Sequence, residues 1–488
     1  MRGQIQFESN SKTTQVIELE SLKDEGRRAI KHGNYNHALN CFDLILENDP
    51  DNVSILYCKL NVLDKQSERR KAIKILEKLI ENDSSNSGLY IRVGDLLSAM
   101  RDKGASEAYL TAFNLSDNIN PEQFFNDHYS KIRYISTYEQ KVDFLNGLLK
   151  VKKDSYTINK ELISCLFNSK NNNKIAVFKE VLENLTDKAE KINLFSDTIS
   201  ELDNEYTEIL RVIELMSEYD FIRATEKEAK LYSDLFMYDK LVEVKERLIK
   251  RYPGKLKSLA FELAKACFEA AQYEKALSYF NKAVEYNISD DRLQEYIGRC
   301  YIAIGEIERG EDALNIVRME KLGDKIGINN FHKFGEYSFY SRKYEISVRQ
   351  YDYLFRDGYS QPENQVNTIE AMIIAGQLDE AKDLLGQRPI KGNFSFKFHV
   401  WFLRIVINIL QGNTDKDLEG IMEDFRYRYF YRYYLNWSFR RVIEWLHHNE
   451  CYADEEQKKL LLELNYKLER WKNNIDESNY QRLINYIK

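Results

Sequence analysis

The stretch "AIKHGNYNHALNCFDLILENDPDN", Ala29 to Asn52, decides how the rest of the chain is read. Gly26 lies near the start of one helix, Gly33 and Tyr35 mark a turn, and Ala38, Phe42 and Ile45 run along one side of a second helix that Pro50 closes. Far downstream "CFEAAQYEKALSYFNKAVEYNISD", Cys267 to Asp290, nearly repeats the pattern. Steps of about 34 residues connect the two. They land on Leu60, Ala72, Leu76 and Leu79, then on Gly94. The register returns as Ala264, Tyr273, Ala276, Phe280 and Ala283, and as Gly298, Tyr301, Gly305, Leu314 and Val317. It continues through Gly335, Tyr344 and Tyr351, and through Gly376, Leu378, Ala381 and Leu385.

Close helix packing explains these residue types. Small residues such as Gly26 and Ala38 let two antiparallel helices approach, while Tyr35 and Phe42 fill the gap to the next pair. One pair cannot bury both of its faces, so it must stack on others. In its ordered small, aromatic and proline positions, Gly26, Ala29, Gly33, Tyr35, Ala38, Phe42 and Pro50, the pattern resembles the tetratricopeptide repeat (TPR) family, with a second full match from Ala264 to Ala283. The resemblance implies an all-α, right-handed α-solenoid of stacked antiparallel helix pairs, roughly twelve of them between residues 19 and 424.

Residues 1–18 are expected to form a flexible arm, 19–115 well-formed repeats, 116–228 degenerate pairs and 229–424 further repeats. In the degenerate part Tyr138, Leu145 and Leu148 keep the register, whereas "NSKNNNKIAVFKEVLENL" keeps only the spacing. Beyond Glu423 the repeat stops, and residues 425–488 are expected to form a C-terminal helical cap over the last apolar face. Asp454 suits the N-cap of a helix carrying Leu460, Leu461, Leu464, Leu468 and Trp471, and Asp476 or Ser478 can start a last one with Leu483, Ile484 and Ile487.

Composition sets bounds on partners. A 43% hydrophobic, 31% charged chain of 488 residues can bury a large core, and its 20 Gly and 5 Pro are few enough for helices to dominate. The net charge of −7 gives no global attraction to nucleic acid or anionic membrane. With no secretion-type or membrane-length apolar run, the expected compartment is the cytoplasm, without membrane insertion. Six scattered cysteines, with no close pairs, read as small apolar core residues rather than a disulfide framework or four-thiolate zinc site.

Catalytic signatures are absent, and the chain is read as no enzyme, with no cofactor. "GEIERGED", Gly305 to Asp312, has phosphate-loop glycine spacing, but Glu311 and Asp312 stand where a lysine and a metal-binding hydroxyl belong. No metal is expected. The alternative is Glu444, His448 and Cys451, which a continued helix would place on one face at i, i+4 and i+7. The run "FRYRYFYRYYLNWSFRR", Phe425 to Arg441, holds no acid. It reads either as a cap whose Tyr427, Phe430, Tyr431 and Tyr434 pack inward, or as an anion or partner patch made by Arg426, Arg428, Arg432, Arg440 and Arg441.

By the family resemblance, the first helix of each pair lines a concave groove that holds peptides or partner domains. The matching positions are Lys23, Arg27, Tyr57, Asn61, Lys265, Arg299, His332, Glu336 and Glu370. Lys23, Arg27 and Asn61 partly match the carboxylate clamp of the chaperone-binding members, but Ile91 and Asp95 stand where further contacts belong. The expected function is a non-enzymatic scaffold or adaptor holding one or more proteins or peptides in that groove. The alternative is a regulatory subunit binding nucleic acid or another anionic ligand through residues 425–441.

Overall fold

The computed structural model describes residues 18–169, 173–290, 292–315, 335–356, 362–387, 394–428, 440–448 and 450–488. Residues 1–17 of the expected arm and His332, Phe430, Tyr431, Arg432 and Tyr434 lie outside the described residues, as do the side chains of Arg428 and Arg440, whereas residue 18 already belongs to a helix. Among the described residues every regular element is a helix, and none is long and apolar enough to cross a membrane. The chain divides into two units, Met1–Leu202 and Asp203–Lys488.

In the N-terminal unit the first helices of five successive pairs are 18–31, Val53–Lys65, Ser87–Ala99, Pro121–Ile132 and Tyr156–Phe167, and Lys188–Glu201 follows the last pair. Their partners are Tyr35–Asn48, Arg69–Asn82, Ala105–Asn114, Tyr138–Leu149 and Lys174–Asn184. The pairing therefore runs on into the segment where the sequence pattern weakens, as far as Asn184. Local chemistry fixes the ends. Asn34 and Asn52 accept the His37 and Ile55 backbone N–H groups at 3.3 and 3.1 Å, and Thr137 with Gln140 forms a reciprocal capping box.

The turn inside a pair is itself repeated. The residue two before the second helix has positive φ: Gly33 (75°), Ser67 (58°), Phe236 (59°), Ala271 (55°), Gly305 (93°), Arg342 (60°) and Gly376 (79°). The residue after it donates its N–H to a carbonyl five residues back, as in Asn34 to Ala29 (2.9 Å), Gln272 to Cys267 (2.9 Å) and Glu306 to Tyr301 (2.8 Å). This satisfies the last carbonyls of the first helix and reverses the chain.

The small positions of first helices lie against large residues of the second. A Cβ on Gly26 would lie 2.7 Å from the Phe42 ring, one on Gly94 2.6 Å from Tyr109, and one on Gly298 2.7 Å from Leu314. Ala38, Ala72, Ala276 and Ala381 hold the tight position of second helices and are fully buried. Stacked antiparallel helix pairs are thus present as expected. All six cysteines are free thiols, five of them buried and Cys58 half-buried.

In the C-terminal unit the pairs are built on Phe221–Asp234, Leu256–Glu269, Leu293–Ala303, 335–340, Pro362–Ile374 and Phe394–Leu410. The cap follows as Arg440–Leu446, Glu455–Lys472 and Glu477–Ile487. Asp454 and Gln457 form a capping box, and Leu461, Leu464 and Leu468 are buried as their spacing requires. The cap reaches further than an end cover would. At its near end the Gln457 amide donates to the Ile409 carbonyl at 3.0 Å. At its far end the Asp476 N–H reaches the Tyr206 hydroxyl at 3.2 Å, and the Tyr486 hydroxyl donates to Glu214 at 2.7 Å. The C-terminal helices therefore run from the last pair of this unit back to its first helix, Tyr206–Met216.

Candidate partner-binding site

The first helices of the N-terminal unit present one polar register. Lys23 and Arg27 on helix 18–31 and Tyr57 and Asn61 on Val53–Lys65 occupy equivalent positions. Arg27 and Asn61 are exposed, Lys23 and Tyr57 half-buried, and Lys23 makes a loose 3.6 Å pair with Glu20 within its own helix. Later first helices are tied to one another by ion pairs: Arg92 to Asp64, Lys131 to Asp95 (2.7 Å), Arg133 to Glu161 (3.5 Å) and Lys160 to Asp197 (2.7 Å). Tyr109, Tyr129 and Tyr156 donate their hydroxyls to three of these acids, Asp95, Glu161 and Asp197. Lys131 and Tyr109 hold the Asp95 carboxyl below its ordinary range against the opposing effect of burial, the largest single influence on it. This part of the face is engaged in ion pairs within the chain, whereas Arg27 and Asn61 at its N-terminal end are exposed to solvent.

The corresponding face of the C-terminal unit is filled from within the chain. Arg299, expected in the groove, has a side chain only 4% exposed and pairs with Glu295 (3.1 Å) and with Glu444 of the cap, itself 11% exposed. Its guanidinium lies 4.7 Å from the Phe268 ring centre and 4.1 Å from that of Tyr340. Arg441 enters one turn earlier on the cap helix. Its side chain, 15% exposed, pairs with Glu370 at 3.3 Å, approaches Glu336 at 4.0 Å and donates to Asn367 at 2.8 Å. Three residues expected to meet an external partner, Arg299, Glu336 and Glu370, thus meet Arg441 and Glu444 instead.

Electrostatics follow from this burial. Burial raises the Glu370 carboxyl, with Arg441 pulling in the opposite direction. Arg441 is itself lifted above its ordinary value: desolvation, the largest influence, disfavours its charge, but Tyr351, Glu370, Tyr340 and Glu336 together outweigh it. His399 is kept neutral by burial and by the Arg441 charge. Trp445, fully buried, supplies the apolar anchor beside these two charged residues of the cap.

The Arg/aromatic segment therefore divides. Phe425 is buried and packs edge-on against Phe398 and Trp471, with ring centres 4.4 Å apart in each case, whereas Arg426 and Tyr427 are exposed. Lys265, the remaining expected groove residue, is half-buried with its ammonium 5.7 Å from the Phe261 ring centre. It lines a cleft of about 440 Å³ that Lys230, Lys245, Glu226, Glu262 and Glu269 give a mixed charge.

Glu444, His448 and Cys451 are not brought together as three ligands. The helix that would have aligned them ends at Leu446. Glu444 turns to Arg299, and the His448 Nδ1 lies 3.2 Å from the Tyr344 hydroxyl. Burial, Arg342 and His447 push the His448 imidazole down to about 4. The sequence reading missed the internal pairing of Arg441 and Glu444 with the groove acids and arginine. Its only linear trace is the R-x-x-E spacing of Arg441 and Glu444 beside Trp445, just past a run without acids.

No protein-family model matches the chain. Among solved structures, that of Naa15/Naa10 bound to HypK-THB is similar at 11% identity over 93% of this chain and 80% of that one, with a TM-score of 0.28. The P58(IPK) TPR domain gives 15% identity, 76% and 98% coverage and a TM-score of 0.20. Yeast Tom70 gives 10%, 83% and 98%, and 0.25. Similarities at this level carry no argument about partner or chemistry. The stacked, tetratricopeptide-like pairs described above rest on their own register, small-residue contacts and turns.

Proposed function

We propose that the chain is a non-enzymatic scaffold or adaptor that organises a complex by holding one or more protein or peptide partners on the first-helix face of its N-terminal unit. The supporting observation is the contrast between the two units. Lys23, Arg27, Tyr57 and Asn61 remain available to a ligand, while Arg299, Glu336 and Glu370 at comparable places are engaged by the cap. A face where cations and acids interleave suits a protein surface, since a polyanion would meet like charge at Asp64 and Asp95. The alternative, anion or nucleic-acid binding through residues 425–441, loses Arg441 to Glu370 and is the weaker reading for that reason. Six free cysteines accord with work in a reducing compartment, for which we take the cytoplasm.

The test places a photo-crosslinking amino acid at Tyr57 or Asn61 in the full chain, in its native cell, with the exposed Val151 as the control position. Discrete protein adducts from the first two sites, reduced roughly 10-fold or more by Arg27→Glu at an unchanged melting curve, are the expected result. Adducts at Val151 alone, or nucleic acid as the dominant adduct, would overturn the reading.

A further inference from the structure

The first helix pair carries a cluster that the partner-binding reading leaves unused. Glu25 on helix 18–31 and His37 and Cys41 on Tyr35–Asn48 converge so that a carboxylate oxygen, an imidazole nitrogen and a thiol sulfur all lie within 4.8 Å of one another. The His37 Nε2 is 2.8 Å from the Glu25 Oε1 and 3.9 Å from the Cys41 Sγ. His37 and Cys41 are spaced i, i+4 and so share one helix face, and the pairing of the two helices brings Glu25 to that face. Glu25 and His37 are about half-exposed, whereas Cys41 is buried, which gives the cluster an open side and a closed floor.

We propose that Glu25, His37 and Cys41 form a three-ligand site for a borderline divalent metal ion, Zn²⁺ in kind, that joins the two helices of the first pair. One sulfur, one nitrogen and one oxygen donor is a set that zinc accepts and that calcium or magnesium, which take oxygen, do not. Tetrahedral zinc with ordinary bond lengths separates its sulfur and nitrogen ligands by roughly 3.6 Å, and its nitrogen and oxygen ligands by roughly 3.4 Å. The thiol therefore has to approach by a few tenths of an ångström and the carboxylate to withdraw by about half an ångström, which side-chain torsions of the exposed Glu25 supply. In the metal-free chain the tautomer with the proton on the His37 Nε2 donates to Glu25. On binding, that proton moves to Nδ1, the Nε2 lone pair faces the ion, and the Cys41 thiol exchanges its proton, released to solvent, for the metal–sulfur bond. The fourth position stays open to water.

The experiment uses the full chain, stripped with chelator under a non-thiol reductant, then titrated with Zn²⁺ and separately with Co²⁺. About one ion per chain is expected, with a thiolate-to-cobalt charge-transfer band. His37→Gln, at an exposed position that leaves the core untouched, should weaken binding by on the order of 100-fold at an unchanged circular-dichroism spectrum. Cys41→Ser should remove the band, and Cys58→Ser should leave it in place. No saturable site, unchanged affinity in His37→Gln, or loss of the band in Cys58→Ser would overturn the proposal and leave the Glu25–His37 contact as a surface hydrogen bond.

Discussion

Cutting the Arg299–Glu444 pair should release the cap from the C-terminal unit. The pair joins residues far apart in sequence, and its side chains are 4% and 11% exposed. Removing one partner of a buried ion pair costs about 3–5 kcal/mol. Arg299→Met should approach that figure, because it also removes the cation from between Phe268 and Tyr340. Glu444→Ala should cost less, about 2–3 kcal/mol, since Arg299 keeps Glu295 at 3.1 Å. The double variant should fall well short of the sum, with a coupling of about 2–4 kcal/mol. Because the chain has two units, one unfolding midpoint would blur the effect. Amide exchange across Arg440–Leu446 reads it locally: both single variants should speed exchange there while leaving Arg69–Asn82 unchanged. Strictly additive effects, or exchange at 440–446 that stays at its original rate in Arg299→Met, would refute the idea that this pair holds the cap.

Gly310→Ala should destabilise the C-terminal unit by about 1–3 kcal/mol, because its Cβ would lie 2.7 Å from the Gly298 carbonyl oxygen, whereas Gly254→Ala, with nothing within 4 Å, should be close to neutral in a urea melt. Acidification should loosen the contact of the cap with Tyr344. The folded-state value of His448, about 4, lies below its ordinary 6.5, so the stability it contributes is full above pH 6.5 and is lost as pH falls from there through about 4, up to roughly 3 kcal/mol in all. Glu228, Glu370 and Glu469 are raised, chiefly by burial, and oppose this trend over the same acid range. The comparison of chain and His448→Gln between pH 7 and pH 4.5 isolates the histidine, and equal pH dependence in both would discard the assignment.

What could be read from the linear sequence, and what could not, follows from the range of the interactions. Helix pairing is legible because it is local: Gly26 against Phe42, or Ala276 within its own helix, recurs at a fixed offset. The pattern fades where backbone geometry persists with other residues. Ser67, Phe236, Ala271 and Arg342 take the left-handed turn position that Gly33, Gly305 and Gly376 also hold, so the turn repeats even though its glycine does not. Non-glycine residues accept that conformation at a cost of about 1–2 kcal/mol each, which the flanking helix contacts offset. The site is far less legible, for the opposite reason. A family register places Arg299, Glu336 and Glu370 on the ligand-facing side of first helices, but only the fold reveals that the ligand there is the chain's own Arg441 and Glu444. Charge complementarity between the basic 425–441 run and the acids at 336 and 370 is visible in the sequence as composition, yet composition alone cannot distinguish a patch that reaches outward from one that folds back. What decides it is the short helix Arg440–Leu446, which places Arg441 and Glu444 three residues apart on one face with Trp445 beside them, so that one cation and one anion enter the array together and each finds its opposite. A chain that used this face for an outside partner would have to supply the same pair of charges at the same spacing, and would have to do so in competition with a segment tethered in place.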